Sequence, residues 1–248
     1  MACWIRNACV LLLTAWSAAA SAQQPLVADL SSHLIAVTTG FVGQDLLLFG
    51  ATDGEGDSDV VVVVRGPSTS LVVRRKERVG GIWVNRDEVT FDDLPAFYFV
   101  ASSRPLDDIA EQAVLARQRI GIENLNFDDR ETGHPDLMEF RAAAIRNLQR
   151  EGLFGRQLGN VSFLGNQLFR TDVHFPSNVP TGAYLVTVYL IRDGAVESAQ
   201  STPLSVSKIG IGAWVYDFAY EQSALYGLLA IVLALLAGWL AGVVFRRP

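Results

Sequence analysis

The C-terminal end of the chain constrains its fold more than any other part. Residues 224–245 contain no charged side chain, and Arg246, Arg247 and Pro248 follow directly. At about 1.5 Å per residue, a helix of this length covers about 33 Å, slightly more than the roughly 30 Å of hydrocarbon in a bilayer. We therefore predict one transmembrane helix at residues 224–245, followed by a short tail at residues 246–248.

A second apolar stretch lies near the N-terminus and is too short to span a membrane. Arg6 precedes the apolar residues 8–16, and small residues at 20–22 follow them. This order is typical of a secretory signal peptide. We predict a signal peptide at residues 1–22, cleaved before Gln23. An uncleaved anchor is the alternative, but the apolar run falls short of the ~17 residues that a span requires.

The two cysteines, Cys3 and Cys9, both lie within the predicted signal peptide. The mature chain would then contain no disulfide, no reactive thiol and no cysteine ligand for a metal. An exported domain of this kind depends on its own hydrophobic core, and the length between signal and anchor is ample for one.

The charges at the two ends of the transmembrane segment predict its orientation. Arg246 and Arg247 follow the segment, whereas Asp217 and Glu221 precede it. Basic residues remain on the cytoplasmic side, so we expect a single-pass protein of the bacterial inner membrane with its N-terminal domain in the periplasm and its C-terminus in the cytoplasm. Without Arg6, Arg246 and Arg247, 17 Lys and Arg remain against 26 Asp and Glu, a net charge of about −9. Such an acidic domain argues against binding nucleic acid.

Between signal and anchor the residue pattern is mostly that of β-strands. Residues 33–100 and 161–207 form short apolar or alternating runs separated by Gly, Asp, Ser and Pro, as in antiparallel sandwiches. The all-valine run 60–64 predicts a central strand buried on both faces. We place strands at 33–37, 45–49, 60–64, 71–73, 88–91, 97–100, 161–164, 168–175, 183–191 and 195–207.

A helical period replaces the strand pattern in the middle of the chain. Apolar residues at helical spacing predict one helix over 106–120 and a second over 137–148, with Pro135 at its first position. Asp193-Gly194 predicts a tight hairpin, and residues 180–184 before it are like the last hairpin of immunoglobulin-like domains.

These patterns combine into a prediction of domain organisation. We expect a mostly β chain with an immunoglobulin-like antiparallel β-sandwich at residues 23–208 and a two-helix insertion at about 105–153. A juxtamembrane stalk at residues 209–223 would connect the sandwich to the single C-terminal transmembrane helix.

The sequence contains no local motif of catalysis, phosphate binding or metal binding. His33, His134 and His174 do not have ligand spacing, so we predict no enzyme activity, no metal site and no cofactor. The acidic segment 53–59 offers alternating oxygen ligands for a cation, but it departs from a calcium loop, so we favour an exposed hairpin turn. The basic run 74–78 predicts either a solvated strand end with its turn or a contact with anions or lipid headgroups.

The transmembrane segment itself indicates a contact with another helix. Small residues recur along it, and Gly238 and Gly242 form a Gly-x-x-x-Gly pair that allows close approach of a second helix. The predicted helix-packing face consists of Gly227, Ala230, Ala234, Gly238 and Gly242.

Three segments of the mature chain carry a family resemblance, namely residues 140–146, residues 182–184 with their hairpin, and the ending 225–241 with 245–247. In these segments the chain resembles the "Putative transmembrane protein" family of alphaproteobacteria. The resemblance implies a signal peptide, an extracytoplasmic domain and one C-terminal helix, and it implies no catalytic residue. It also suggests a permease resembling sulfite exporters as a partner.

Two hypotheses of function follow. In the first, the periplasmic domain is an interaction or accessory module, for example for a membrane transporter, and the transmembrane helix packs against another membrane protein or a second copy of itself. In the alternative, the domain binds a small solute or cation near the membrane, through residues 53–59 or 74–78.

Overall fold

The structure is a computed structural model that describes residues 25–54, 57–129, 134–210 and 218–244. The predicted signal peptide with Cys3 and Cys9 lies outside these residues, as do Arg246, Arg247 and residues 211–217 of the predicted stalk. Those predictions, and the domain boundaries that depend on them, stay predictions.

The structure gives complete bounds for thirteen strands and four α-helices, and residues 218–221 are also helical. The helices are α1 (Leu106–Ile109), α2 (Gln112–Gln118), α3 (Leu137–Arg150) and α4 (Ser223–Val244), with a 3₁₀ turn at Ile122–Asn124. The strands are β1 (Leu26–Leu30), β2 (Leu34–Val37), β3 (Gly43–Thr52), β4 (Asp59–Arg65), β5 (Ser68–Val79), β6 (Ile82–Pro95), β7 (Tyr98–Ser102), β8 (Asp128–Asp129), β9 (Gly159–Asn160), β10 (Ser162–Leu164), β11 (Leu168–Pro176), β12 (Gly182–Arg192) and β13 (Ala195–Lys208).

Four strands form one antiparallel sheet, which we call sheet A, in the order β1-β3-β11-β10. Buried and more exposed side chains alternate along its strands, because every second side chain points into the core. Leu46 and Leu48 in β3 and Val173 in β11 are examples of the buried set. The other side chains of these strands face away from the core. Sheet A is therefore one layer of a sandwich, with an outer face of its own.

The second layer, sheet B, has the strand order β2-β13-β12-β4-β7-β9. Strands β2 and β9 pair in parallel at its two edges, and the pairs between them are antiparallel. The predicted central strand is confirmed, because the valines of β4 are all 0% exposed. Asp193 and Gly194 have φ angles of 48° and 76°, which suit a tight turn between β12 and β13.

The core between the sheets contains a cluster of three aromatic rings. Phe97 stacks on Phe175 with ring centroids 5.0 Å apart, and Tyr184 lies 5.9 Å from each. The adjacent residue Tyr98 points to the opposite side of sheet B. There its hydroxyl donates a hydrogen bond to the Arg119 carbonyl, so the helical insertion covers the outer face of sheet B.

The insertion differs from the predicted pair of helices. The predicted helix 106–120 is broken at Ala110, whose backbone is extended, and it becomes α1 and α2. Both Ile109 and Ala110 are buried at this break. The second helix begins at Leu137 after Asp136 rather than at Pro135.

The largest departure from the predicted strands is a long ribbon formed by β5 and β6. Strand β5 continues through residues 74–78, where the sequence predicted a strand end and turn, and reverses at Gly80-Gly81. Hydrogen bonds from Gly66 to Phe97 and from Ala96 to Pro67 extend the β4–β7 ladder into this ribbon. The side chains of residues 74–78 are exposed or half-buried, so a strand accommodates the run without burying its charge.

The predicted antiparallel β architecture, its helical insertion and its C-terminal apolar helix are thus confirmed. The immunoglobulin-like detail stays a prediction.

Candidate functional site

The predicted helix-packing face lies on α4, which is long and apolar enough to cross a bilayer and has no buried side chain. A Cβ atom placed on Gly227, Gly238 or Gly242 would meet no atom within 4 Å. Nothing in the described chain therefore occupies this face, and the small residues leave room there for a second helix.

Two aspartates of the acidic segment 53–59 form ion pairs with arginines. Arg104 forms a two-pronged ion pair with Asp59, whose side chain is largely buried, with 2.9 Å from Nε to Oδ1, and the Ser103 hydroxyl donates to the same carboxylate at 2.8 Å. Burial opposes ionisation, but the hydrogen bonds from Arg104 and Ser103 and the charge of Arg104 outweigh it and lower the pKa of Asp59. Arg192 is paired with Asp53. Two of the proposed cation ligands are thus already neutralised.

A cavity of about 540 Å³ adjoins this segment. Among the residues that line it are Ser58, Arg104 and Asn166. In the part of the chain that the structure describes, no three His, Cys, Asp or Glu side chains are arranged to hold a metal ion. The geometry therefore offers a polar cleft with a guanidinium, which differs from the oxygen-only site that a hard cation requires.

The three histidines lie apart from one another in roles of local hydrogen bonding. His33 contacts Asp29 at 3.0 Å, and His174 contacts Asp45 at 2.6 Å. The Nδ1 atom of His134 accepts a hydrogen bond from the Asp136 backbone at 3.2 Å. Each of the three thus has its own hydrogen-bond partner, and the described residues contain no group of three metal-ligating side chains around them.

The basic run 74–78 is divided between ion pairs and exposed charges. Arg74 pairs with Glu88 across the ribbon at 2.8 Å. Arg75 contacts Asp136 and Glu139 at the start of α3, both at 2.8 Å, and lies 4.8 Å from the ring centroid of Phe140.

Beyond Arg75, the ribbon is exposed. Glu77 pairs with Arg86. Lys76 and Arg78 have no ion-pair partner among the described residues. Next to them, Val79, Ile82 and Trp83 are 50%, 66% and 68% exposed. The run therefore lies within a strand rather than at its end, and the contact with anions or headgroups stays a prediction.

The groups with strongly raised pKa values have structural roles. Burial raises the pKa of Tyr98 to about 12, and its hydroxyl also accepts a hydrogen bond from the Gly121 backbone at 2.9 Å. Burial likewise raises the pKa of Tyr184, whose hydroxyl donates to the Pro180 carbonyl at 2.6 Å. Both hydroxyls are engaged in holding loops, so neither is poised as an acid or base.

Sequence reasoning missed an apolar surface on the outer face of sheet A. Val27 pairs with Ala51, Ala51 with Leu168, and Leu168 with Leu164, so the four side chains form one line across the four strands. Val27, Leu164 and Leu168 are 52%, 50% and 55% exposed, and Phe49 beside them is 46% exposed. We call these five residues the apolar row.

A contiguous apolar surface of this kind marks an interaction site more often than single exposed residues do. A signal was present in the sequence. In the run 46–49 apolar residues occupy both faces of one strand, although the strand lies in a sheet that is covered on one face only.

Comparison with known proteins gives one result. The family model described as "Putative transmembrane protein" (Alph_Pro_TM) matches residues 25–247, which is nearly the whole chain. No curated protein matches it at a significant level. The match extends from the first strand of sheet A to the end of the apolar helix, so this chain is a membrane protein and belongs to the "Putative transmembrane protein" family.

Proposed function

We propose that this protein is a non-catalytic interaction module held at the membrane by α4. The observation that carries the proposal is the apolar row, which is exposed on the outer face of sheet A. Covering that row would remove apolar surface from water, at about 25 cal/mol per Å². The partner we propose is another integral membrane protein, such as a transporter.

The anchor supports the same kind of partner. Its packing face is unoccupied in the described chain, and a partner that spans the membrane would contact α4 within the bilayer and the apolar row outside it. Two such contacts on one chain raise the overall affinity, because the second contact forms within the complex. A permease resembling sulfite exporters is one candidate that the family resemblance suggests.

The orientation that we propose places the sandwich outside the cytoplasm. The support comes from the sequence, since Arg246 and Arg247 follow the apolar helix and Glu221 precedes it. The inner membrane and the periplasm are the compartments that match this orientation together with the predicted signal peptide.

We also propose that the sandwich is immunoglobulin-like. The order β1-β3-β11-β10 corresponds to strands A-B-E-D, and β13-β12-β4-β7 corresponds to G-F-C-C′. The Tyr184 hydroxyl near the start of β12 donates to the carbonyl four residues earlier, as in the tyrosine corner of that fold. Many such domains act by presenting a sheet face or loops to a partner.

The alternative, a site for a small solute, rests on the cavity beside residues 53–59. Arg104 lines the cavity together with Asp57 and Asp59, so both anions and cations are candidate ligands. A thermal-shift panel of calcium and common oxyanions on the purified protein tests this function. A rise in melting temperature that Arg104→Gln abolishes would support it.

In-cell photocrosslinking tests the proposed interaction directly. A photoreactive residue at Leu168 in the full chain should give one main adduct with another membrane protein, identified by mass spectrometry. Leu185, an exposed leucine on sheet B, is the matched control and should give none. Gly238→Leu with Gly242→Leu should reduce the Leu168 adduct, since both surfaces bind the same partner.

Two results would overturn the proposal. One is a chain without adducts at Leu168, or with the same adducts at Leu185. The other is an adduct formed with a second copy of the chain alone, which would make the row a self-association surface.

A further inference from the structure

The distal half of the β5–β6 ribbon, residues 76–86, projects from the protein without packing against it. None of its side chains is buried. Val79 pairs with Ile82 and Arg78 with Trp83, so apolar side chains lie on both faces of the ribbon next to the Gly80-Gly81 turn. A two-stranded hairpin that is exposed on both faces has no hydrophobic core of its own. Its apolar end is therefore free to contact a membrane or another molecule.

The charge of this ribbon tip is opposite to that of the domain. Residues 76–86 contain Lys76, Arg78 and Arg86 against Glu77, a net charge of about +2, in a mature chain of about −9 outside the tail. Arg86 is neutralised by Glu77, whereas Lys76 and Arg78 are exposed beside Trp83. Exposed cations beside an apolar aromatic end are the chemistry that binds anionic lipid surfaces.

The strand register shows from which end of the sandwich the ribbon leaves. Leu185 pairs with both Arg65 of β4 and Pro203 of β13. Strand β4 runs towards Arg65 and the ribbon, and β13 runs antiparallel to β12 towards Lys208. The ribbon and the chain segment that leads to the anchor therefore leave the same end of sheet B.

The lengths allow the tip to reach the bilayer. Gly80 is about 15 residues beyond Arg65, which is about 50 Å along a strand at 3.3 Å per residue. Lys208 and Ser223 are separated by about 14 residues, which span at most about 50 Å when fully extended. Because the anchor limits how far the sandwich can move from the membrane, a ribbon of this length lies within reach of its surface.

We propose that the tip of the β5–β6 ribbon is a second membrane contact, in which Ile82 and Trp83 enter the interface and Lys76 and Arg78 bind anionic headgroups. Trp prefers the membrane–water interface. The ion pairs of Arg75 with Asp136 and Glu139 fix the base of the ribbon to α3. A membrane contact at the tip would therefore orient the sandwich relative to the bilayer. A lipid surface suits the tip better than a protein groove, because both faces of the ribbon end are apolar and both are open.

Depth-dependent fluorescence quenching tests this contact in the full mature chain, reconstituted in nanodiscs that contain spin-labelled lipids. An environment-sensitive dye is attached at Ile82→Cys, and the control position is Gly194→Cys, in the turn at the opposite end of sheet B. We expect quenching at residue 82 and none at residue 194, and stronger quenching with anionic than with zwitterionic lipid.

A charge variant separates lipid binding from mere proximity. Lys76→Gln with Arg78→Gln should lower the partition constant of the tip about thirtyfold in anionic nanodiscs. The matched control Arg74→Gln changes a paired arginine further from the tip and should leave the quenching unchanged. Thermal melts of all variants check that the sandwich remains folded.

Equal or absent quenching at residues 82 and 194 in anionic nanodiscs would overturn the proposal. If quenching is the same in anionic and zwitterionic lipid and is unchanged by Lys76→Gln with Arg78→Gln, the proposed role of Lys76 and Arg78 is wrong. A tip that is unquenched here but gives a protein adduct from residue 82 in cells would be a protein contact instead.

Discussion

Among single residues, Tyr98 links the helical insertion to sheet B. Its hydroxyl accepts from the Gly121 backbone and donates to the Arg119 carbonyl, at 2.9 and 3.0 Å. Tyr98→Phe leaves the buried Gly121 N–H without an acceptor, so we expect the free energy of unfolding to fall by about 1–3 kcal/mol. Urea denaturation of residues 23–208, with and without Tyr98→Phe, measures this difference in the free energy of unfolding. A loss below about 0.5 kcal/mol would mean that water or a shifted backbone replaces the hydroxyl.

Asp59 makes the stability of the domain depend on pH. Its pKa in the folded protein lies below the ordinary value of 3.8, so its contribution is fully present above that value and is lost as the pH falls through the lowered pKa. We expect the free energy of unfolding to decrease as the pH falls below this ordinary value. Asp59→Asn should make this decrease smaller, as urea titrations at several pH values would show. An equal decrease in both proteins would assign it to other carboxylates.

At the scale of elements, Arg75 fixes the ribbon to α3. Its contacts with Asp136 and Glu139 join β5 to the beginning of the helix, where negative side chains are also favoured by the helix dipole. Arg75→Gln should speed hydrogen exchange of the backbone amides in residues 76–86, because the ribbon then lacks its support. Arg74→Gln, which breaks an exposed pair within the ribbon, is the control and should change exchange little. Equal exchange in both variants would show that the ribbon is independent of α3.

The elements also show how far the sequence could predict this fold. Local patterns were sufficient for β4, for the Asp193-Gly194 hairpin and for α4, because each depends on neighbouring residues. The ribbon was missed because its charged residues resemble a solvated turn, and pairing with β6 makes them a strand. The break between α1 and α2 depends on what Ile109 and Ala110 pack against, and the apolar row depends on which strands are neighbours. Such information is not local.

For the whole molecule, the account combines three surfaces of one membrane-tethered sandwich. The apolar row is proposed to bind a partner, the small residues of α4 to pack against it within the bilayer, and the ribbon tip to contact lipid. All three require that the sandwich and the C-terminal tail lie on opposite sides of the membrane. This geometry depends on the charges that flank α4.

Phosphatase fusions test this central requirement most directly. Alkaline phosphatase is active only outside the cytoplasm. A fusion after Ser207 should therefore be active and a fusion after Pro248 should be silent, if Arg246 and Arg247 retain the tail in the cytoplasm as proposed. Activity should be compared at equal expression, measured by immunoblotting. An active fusion after Pro248, or a silent one after Ser207, would contradict the proposed orientation and the surfaces that depend on it.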